Sequence, residues 1–331
     1  METVDRKILN NIQVAFPNTL RPYRVIGADT GIPEEEAWQR VRYLRENGVI
    51  RRIGGVFDSR RLGYIATLCT AEVPNTKVPL VADLMQGIDE ITHNYLRDHP
   101  KYNMWFTIIA SSQQRIESII SDIRAASGGS RVYSLPAIKV FKVGVIFNLG
   151  AGESQDQSRL MQARPQVEAG SSSPPAITEN DKNLVRLLQE DLPYSMTPYS
   201  DLADELDTDA RDLCAGIQRF LEQGIMRRLG AILAHRKSGF TSNAMGVWAV
   251  PEERVNEAGM KMAEFAEVTH CYQRRAFHDW PYNLFTMVHG NSDQECREIM
   301  AKISEATGIN NYALLFSDKE LKKTSMRYFN E

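Results

Sequence analysis

The chain has 331 residues, 43% hydrophobic and 24% charged, with a formal net charge of −3. That length allows two or three domains, and the composition excludes a disordered or fibrous chain. A charge near zero gives no global pull toward nucleic acid or anionic membrane, and no apolar run approaches the roughly 18 residues a membrane span needs.

The start, "METVDRKILNNIQ", is a charged helix and not a signal peptide. The four cysteines, Cys69, Cys214, Cys271 and Cys296, form no C-x-x-C pair, which suggests neither a zinc site nor a redox motif. Together they predict a reduced, cytoplasmic protein.

Apolar positions at helical spacing (Val4, Ile8, Leu9, Ile12, Phe16) predict a first helix over residues 3–16, ending before Pro17. Pro22 can open a short second helix that ends near Gly31. "PEEEAWQRVRYLREN" predicts a third, with carboxylates at its start and Gly48 closing it. "VIRRIGGVF" then reads as a strand, a glycine turn and a strand, so that three helices and a hairpin make a winged helix-turn-helix. Next come a strand ("YIATLCTAEV"), a helix ("KVPLVADLMQGI"), two strands ("EITHNYLR", "NMWFTIIA"), a helix ("SQQRIESIISDIRAA") and one or two final strands in "VYSLPAIKVFKVGVIF". That βαββαβ order is the ferredoxin-like plait.

The pattern then repeats. Asp5 matches Asp181, and the same spacing matches Pro17 with Pro193, Tyr23 with Tyr199, Gly48 with Gly224 and "IRRIGG" with "MRRLGA". After one inserted residue, His93, Tyr95 and Arg97 match His270, Tyr272 and Arg274. After three more, Tyr102-Asn103 matches Tyr282-Asn283. A period of half the chain marks a duplicated domain and not a solenoid. The predicted fold class is α+β, with winged helices at 1–62 and 179–238 and plaits at 63–148 and 239–331. Leu149 to Thr178, rich in Gly, Ser, Pro and Gln and without an aromatic, reads as a flexible linker.

A winged helix that reads DNA wants basic or amide side chains on its third helix. Here that helix opens on Glu34, Glu35 and Glu36, and Ile32 to Asn47 holds four Glu against three Arg. The matching segment, Thr208 to Gln223, has Asp209, Asp212 and Glu222 against Arg211 and Arg219. Such a face opposes phosphate, so no nucleic-acid partner is expected. The arginines gather elsewhere. Arg51, Arg52, Arg227 and Arg228 lie in the "RR" segments, joined by Arg60, Arg61, Arg236 and Lys237, and Arg97, Arg274 and Arg275 in the duplicated polar-aromatic string. Arginine grips carboxylates bidentately. With Tyr102, Asn103, Trp105, Tyr282 and Asn283 beside them, these arginines suggest a large, flat, polyanionic ligand, which a tetrapyrrole fits. Strand alternation puts His93, Tyr95 and Arg97 on one face, and likewise His270, Tyr272 and Arg274. His99 and His278 read as loop histidines, and His235 and His289 have no evident partner.

The winged helix plus plait resembles the Lrp/AsnC regulators. More specifically, "FPNTLRPYRVIGADTGIPEEE", "GVIRRIGGVFDSRRLGY" and "THNYLRDHPKYNMWFT" in the first half resemble the siroheme decarboxylases, an Lrp/AsnC-like branch of enzymes. So do "YSDLADELD", "RRLGAILAHRKSGF" and "WPYNLFTMVHG" in the second. That family occurs as paired homologous subunits or as one fused chain, and the resemblance covers all but the linker. It implies a carboxy-lyase that removes two acetate carboxylates from siroheme, giving 12,18-didecarboxysiroheme for heme d1 biosynthesis. The alternative is a tetrapyrrole-sensing DNA-binding regulator.

In the decarboxylase reading siroheme is the substrate and no separate cofactor is required, because the macrocycle absorbs the electrons left by carbon dioxide. The protein must position the substrate and supply a proton. His93 and His270 are the candidate acids, oriented by Tyr95 and Tyr272. Axial ligation of the substrate iron is the competing role for either histidine. Arg97 and Arg274 are expected to anchor neighbouring carboxylates, since clamping the departing one would stabilise the ground state. The second half has Cys271 in place of Asn94 and three extra residues before Tyr282, which weighs toward the first half as the catalytic one. The halves are expected to form an internal pseudo-dimer, open to higher assembly, with siroheme and its product as partners and no membrane.

Overall fold

The computed structural model describes residues 1–143, 175–234 and 242–330. His235, Arg236, Lys237 and linker residues 149–174 lie outside the described residues.

The first half opens with helices α1 (Thr3–Val14), α2 (Pro22–Thr30) and α3 (Glu34–Glu46). A capping box between Glu2 and Asp5 starts α1, whose Ile8, Leu9 and Ile12 are fully buried. Pro22 opens α2, and Gly31, in the left-handed region at φ 76°, closes it. The second half repeats the set as α6 (Glu179–Leu188), α7 (Pro198–Glu205) and α8 (Ala210–Glu222). Thr178, placed in the linker by composition, is the N-cap of α6, accepting a hydrogen bond from the Asp181 backbone.

The expected hairpin is not a hairpin. "IRRIGGVF" is one continuous strand, β1 (Ile50–Phe57), and its counterpart is β6 (Met226–Leu233). The two pair antiparallel across the halves, with Gly54 opposite Gly230. These glycines make no turn. They admit a helix end: a Cβ on Gly230 would stand 2.8 Å from the Ile12 carbonyl, and one on Gly54 would run into the carbonyl of Glu190. Reciprocal backbone bonds, Phe16 to Leu229 and Leu192 to Ile53, fasten the helices of each half to the other half's strand. One core runs through both sets of helices and takes in Tyr328 from the C-terminal segment.

The plaits also interlock. The first contributes β2 (Ile65–Ala71), α4 (Val78–Gln86), β3 (Ile91–Arg97), β4 (Met104–Ala110), α5 (Gln113–Ala126) and β5 (Val132–Val143). The second contributes β7 (Ser242–Trp248), α9 (Val255–Glu264), β8 (Val268–Arg274), β9 (Leu284–Gly290), α10 (Asp293–Thr307) and β10 (Tyr312–Lys323). The strands close into one barrel, ordered β10-β3-β4-β2-β5-β8-β9-β7. Each last strand serves two sheets. β5 pairs with β2 through Val132 to Pro136, then with β8 through Ala137 to Val143. β10 pairs with β7 through Tyr312 to Phe316, then with β3 through Ser317 to Lys323. At its far end, Lys322 donates to the carbonyls of Met85, Gln86 and Ile88 at the C-terminal end of α4. Helices α4 and α5 cover one outer face and α9 and α10 the other. A third cluster, including Trp105, Trp280, Met245 and Phe285, fills the space between the sheets. Among the described residues no helix is long and apolar enough to cross a membrane.

Candidate active site

Alternation on β3 and β8 places the two His-x-Tyr-x-Arg triplets on corresponding faces. His93 and Tyr95 stack with ring centroids 6.3 Å apart, and His270 and Tyr272 at 6.0 Å. The Arg97 guanidinium lies 5.3 Å from the Tyr95 ring, and that of Arg274 lies 4.9 Å from Tyr272. A register shift falls just before each histidine, between Ile91 and His93 and between Val268 and His270. Bulges of this kind re-aim side chains beside functional sites. Each histidine meets the threonine before it, with 3.0 Å between Thr92 Oγ1 and His93 Nδ1 and between Thr269 Oγ1 and His270 Nδ1. The bond leaves Nε2 for a ligand.

Both triplets feel one cationic environment. Burial drives His93 down to about 4, helped by the charges of Lys323 and Arg51. Burial drives His270 down to about 3, helped by His289, Arg227 and His93. Neither histidine residue is fully buried. Arg51 and Arg227 act on the imidazoles from the β1/β6 ribbon. Arg51 donates to Ser325 Oγ at 3.1 Å, and Arg227 pairs with Asp58 at 2.9 Å. Glu320 lies 3.4 Å from the Tyr95 hydroxyl, which donates to it. An arriving polycarboxylate would offset these cations and raise the imidazoles back toward neutrality, where a histidine serves as an acid.

Arg97 and Arg274 are deeper. Arg97 Nη1 donates to the Leu315 carbonyl at 2.8 Å, and Arg274 Nη1 donates to that of Leu135. Each holds the other half's last strand at the point where it crosses between sheets. Burial lowers both guanidinium pKa values to about 10. Among the described residues neither Nε finds an acceptor.

The remaining candidates scatter. Arg52 donates to the carbonyls of Glu190 and Gly55, and Arg228 to that of Gln13, so the second arginine of each pair serves the backbone. Asn103 bonds both polar backbone groups of Val73, and Asn283 both of Val250, which clasps each plait's first connection. Tyr102 donates to Asp279, and Trp105 donates to the Tyr102 carbonyl within the aromatic cluster that includes Trp280 and Tyr282. Arg275 is exposed. Two residues beside the triplets, Lys323 and Glu320, escaped the sequence reading, and His289, without an evident partner in sequence, lies beside Thr269. Aligning the halves offers one signal, since His289 falls opposite Ile109 on a strand that otherwise matches its twin in alternation.

The chain matches two family models, each twice. Residues 5–51 and 181–227 match a siroheme decarboxylase NirDL-like HTH domain, and residues 61–142 and 237–322 match an AsnC-like ligand binding domain. A siroheme decarboxylase of Hydrogenobacter thermophilus is 32% identical over 98% of this chain and 95% of its own. The siroheme decarboxylase beta subunit of Methanosarcina barkeri is 44% identical and spans 45% of this chain and 98% of its own. A crystal structure of the siroheme decarboxylase NirDL in co-complex with an iron-uroporphyrin III analogue superposes with a TM-score of 0.74 at 28% identity. That match covers 98% of this chain and 94% of that one.

Proposed function

Because the chain belongs to the siroheme decarboxylase family, we propose that it removes two acetate carboxylates from siroheme, giving 12,18-didecarboxysiroheme for heme d1 biosynthesis. What supports this reading is the pair of His-Tyr-Arg triplets near enough to share charge, with Arg51, Arg227 and Lys323 acting on the imidazoles. A polycarboxylate macrocycle would find cations for its peripheral carboxylates there and a proton donor beside each reacting acetate.

Loss of carbon dioxide breaks the bond to the carboxyl carbon and leaves the electron pair on the methylene, delocalised into the macrocycle. A histidine Nε2–H then protonates that carbon, giving the methyl. Positioned proton transfer of this kind contributes roughly 100- to 10,000-fold. Arg51 and Arg227 are assigned to substrate carboxylates. Arg97 and Arg274, tied to the crossing strands, set the shape of the site and leave their Nε donors for a carboxylate.

The regulator reading has less support. All three arginines of α3 are engaged within the fold: Arg40 with Glu36, Glu2 and Asp5, Arg42 with Glu46, and Arg45 with Asp191. The test is anaerobic incubation of the protein with siroheme and mass spectrometry of the extracted pigment. Loss of two carbon dioxide units is expected. An unchanged pigment, with a low-salt gel shift that responds to it, would favour the regulator instead.

A further inference from the structure

The two histidine sites differ in what stands behind them. In the second half Thr269 Oγ1 lies 3.0 Å from His270 Nδ1 and also 3.0 Å from His289 Nε2. One hydroxyl therefore bridges two imidazoles. The competing acceptor, the Met287 carbonyl, is 3.4 Å away. His270 and His289 come from adjacent strands, β8 and β9, and Thr269 is itself buried. In the first half the matching position is Ile109. Its backbone N–H bonds to Glu90 as that of His289 bonds to Glu267, and among the described residues the Thr92 hydroxyl meets His93 and no second imidazole.

A threonine hydroxyl has one proton, so it donates to one nitrogen and accepts from the other. With His289 Nε2–H donating to Oγ1, and Oγ1–H donating to His270 Nδ1, both bonds point toward His270. Resting on the decarboxylase reading, we propose that His289 and Thr269 form a proton relay that recharges His270, making the second half the one equipped for repeated protonation. The partly buried His289 takes a proton from solvent on its other ring nitrogen and passes Nε2–H to Thr269 as the hydroxyl proton moves to His270 Nδ1; before the next protonation His270 returns to its Nε2–H tautomer, and the Thr269 hydroxyl and His289 return to their starting forms. The Nε2–H of His270 goes to the methylene left by carbon dioxide. One proton is consumed per carboxylate lost, the C–C bond breaks, a C–H bond forms, and no oxidant or reductant takes part. This assignment runs opposite to the sequence differences at Cys271 and the loop before Tyr282, which weigh toward the first half.

Three substitutions in the full chain test it: His289→Gln, Thr269→Val and Thr269→Ser. Siroheme affinity is read by absorbance titration, products by mass spectrometry, and the number of protons in flight by rates in H2O/D2O mixtures. The relay predicts unchanged affinity, accumulation of mono-decarboxylated pigment and roughly 100-fold slower completion in His289→Gln and Thr269→Val. The curved proton inventory of the parent should become linear in both. Thr269→Ser, which keeps the hydroxyl, should behave as the parent does. Parent-like rates and inventories in His289→Gln and Thr269→Val would overturn the relay alone. A parent protein that leaves siroheme unchanged would overturn the decarboxylase reading and the relay with it.

Discussion

At the residue scale, similar arginines have different duties, and single substitutions separate them. Arg51 is exposed and donates to Ser325, so Arg51→Ala should leave folding intact and weaken siroheme binding about 10-fold. Arg97 is buried and holds the Leu315 carbonyl, so Arg97→Ala should cost on the order of 2 kcal/mol of stability, measured by urea unfolding, besides any effect on binding. The reverse pattern, a stable Arg97→Ala that merely binds poorly, would return Arg97 to the anchoring role its sequence position suggests. Three imidazoles give a second test. Burial depresses the folded pKa values of His93, His270 and His289 to about 4, 3 and 4, against an ordinary 6.5. The unfolded chain therefore binds more protons between about pH 6.5 and 4, and stability must fall as pH drops through that window. The Tm of the ligand-free protein should fall by on the order of 5 °C between about pH 7 and pH 5. A triple His→Gln variant should lose less. The triplets were legible because strand alternation is a rigid two-residue period. His289 was not, because its partner Thr269 lies on a neighbouring strand, and cross-strand register is invisible in a single sequence.

At the element scale, α1 to α3 and the plait's order could be read because caps, prolines and apolar spacing are local signals. The strands β1 and β6 could not. A glycine pair within an arginine-flanked apolar run is a reasonable turn signal when its surroundings are unknown. Here its cause is distant in sequence: a helix end from across the chain must touch the strand. That explanation has its own consequence. If Gly230 lay in a turn exposed to solvent, Gly230→Ala would be nearly neutral. Because a Cβ there meets the Ile12 carbonyl at 2.8 Å, the substitution should instead destabilise by about 1–3 kcal/mol, seen as a lower urea midpoint at unchanged slope. Since the same strand carries Arg227, the shift of β6 should also raise the KM for siroheme, linking a packing defect far from the imidazoles to substrate binding.

At the scale of the whole molecule, neither half is complete. The first plait lacks the outer partner of β3 until β10 arrives, and the second lacks that of β8 until β5 arrives. Lys322 reaches from β10 to the end of α4, and Lys142 from β5 to the Phe265 carbonyl beyond α9. The pairing of β1 with β6 and the shared helical core repeat the dependence at the other end. A half alone would expose two strand edges and an apolar helix face, which is an aggregation hazard. The covalent connection raises the effective concentration of one half near the other. Cutting the chain between residues 150 and 174 should therefore leave a 1:1 complex when both pieces are coexpressed, with siroheme turnover within about threefold of the intact chain. Each piece alone should aggregate or self-associate, and neither should decarboxylate, because Arg97 would lack the Leu315 carbonyl and Arg274 that of Leu135. Co-purification on a tag carried by one piece, followed by sedimentation, reads the outcome. A folded, active single piece would mean that the interlocked barrel is dispensable and that one triplet with its own half suffices for the chemistry.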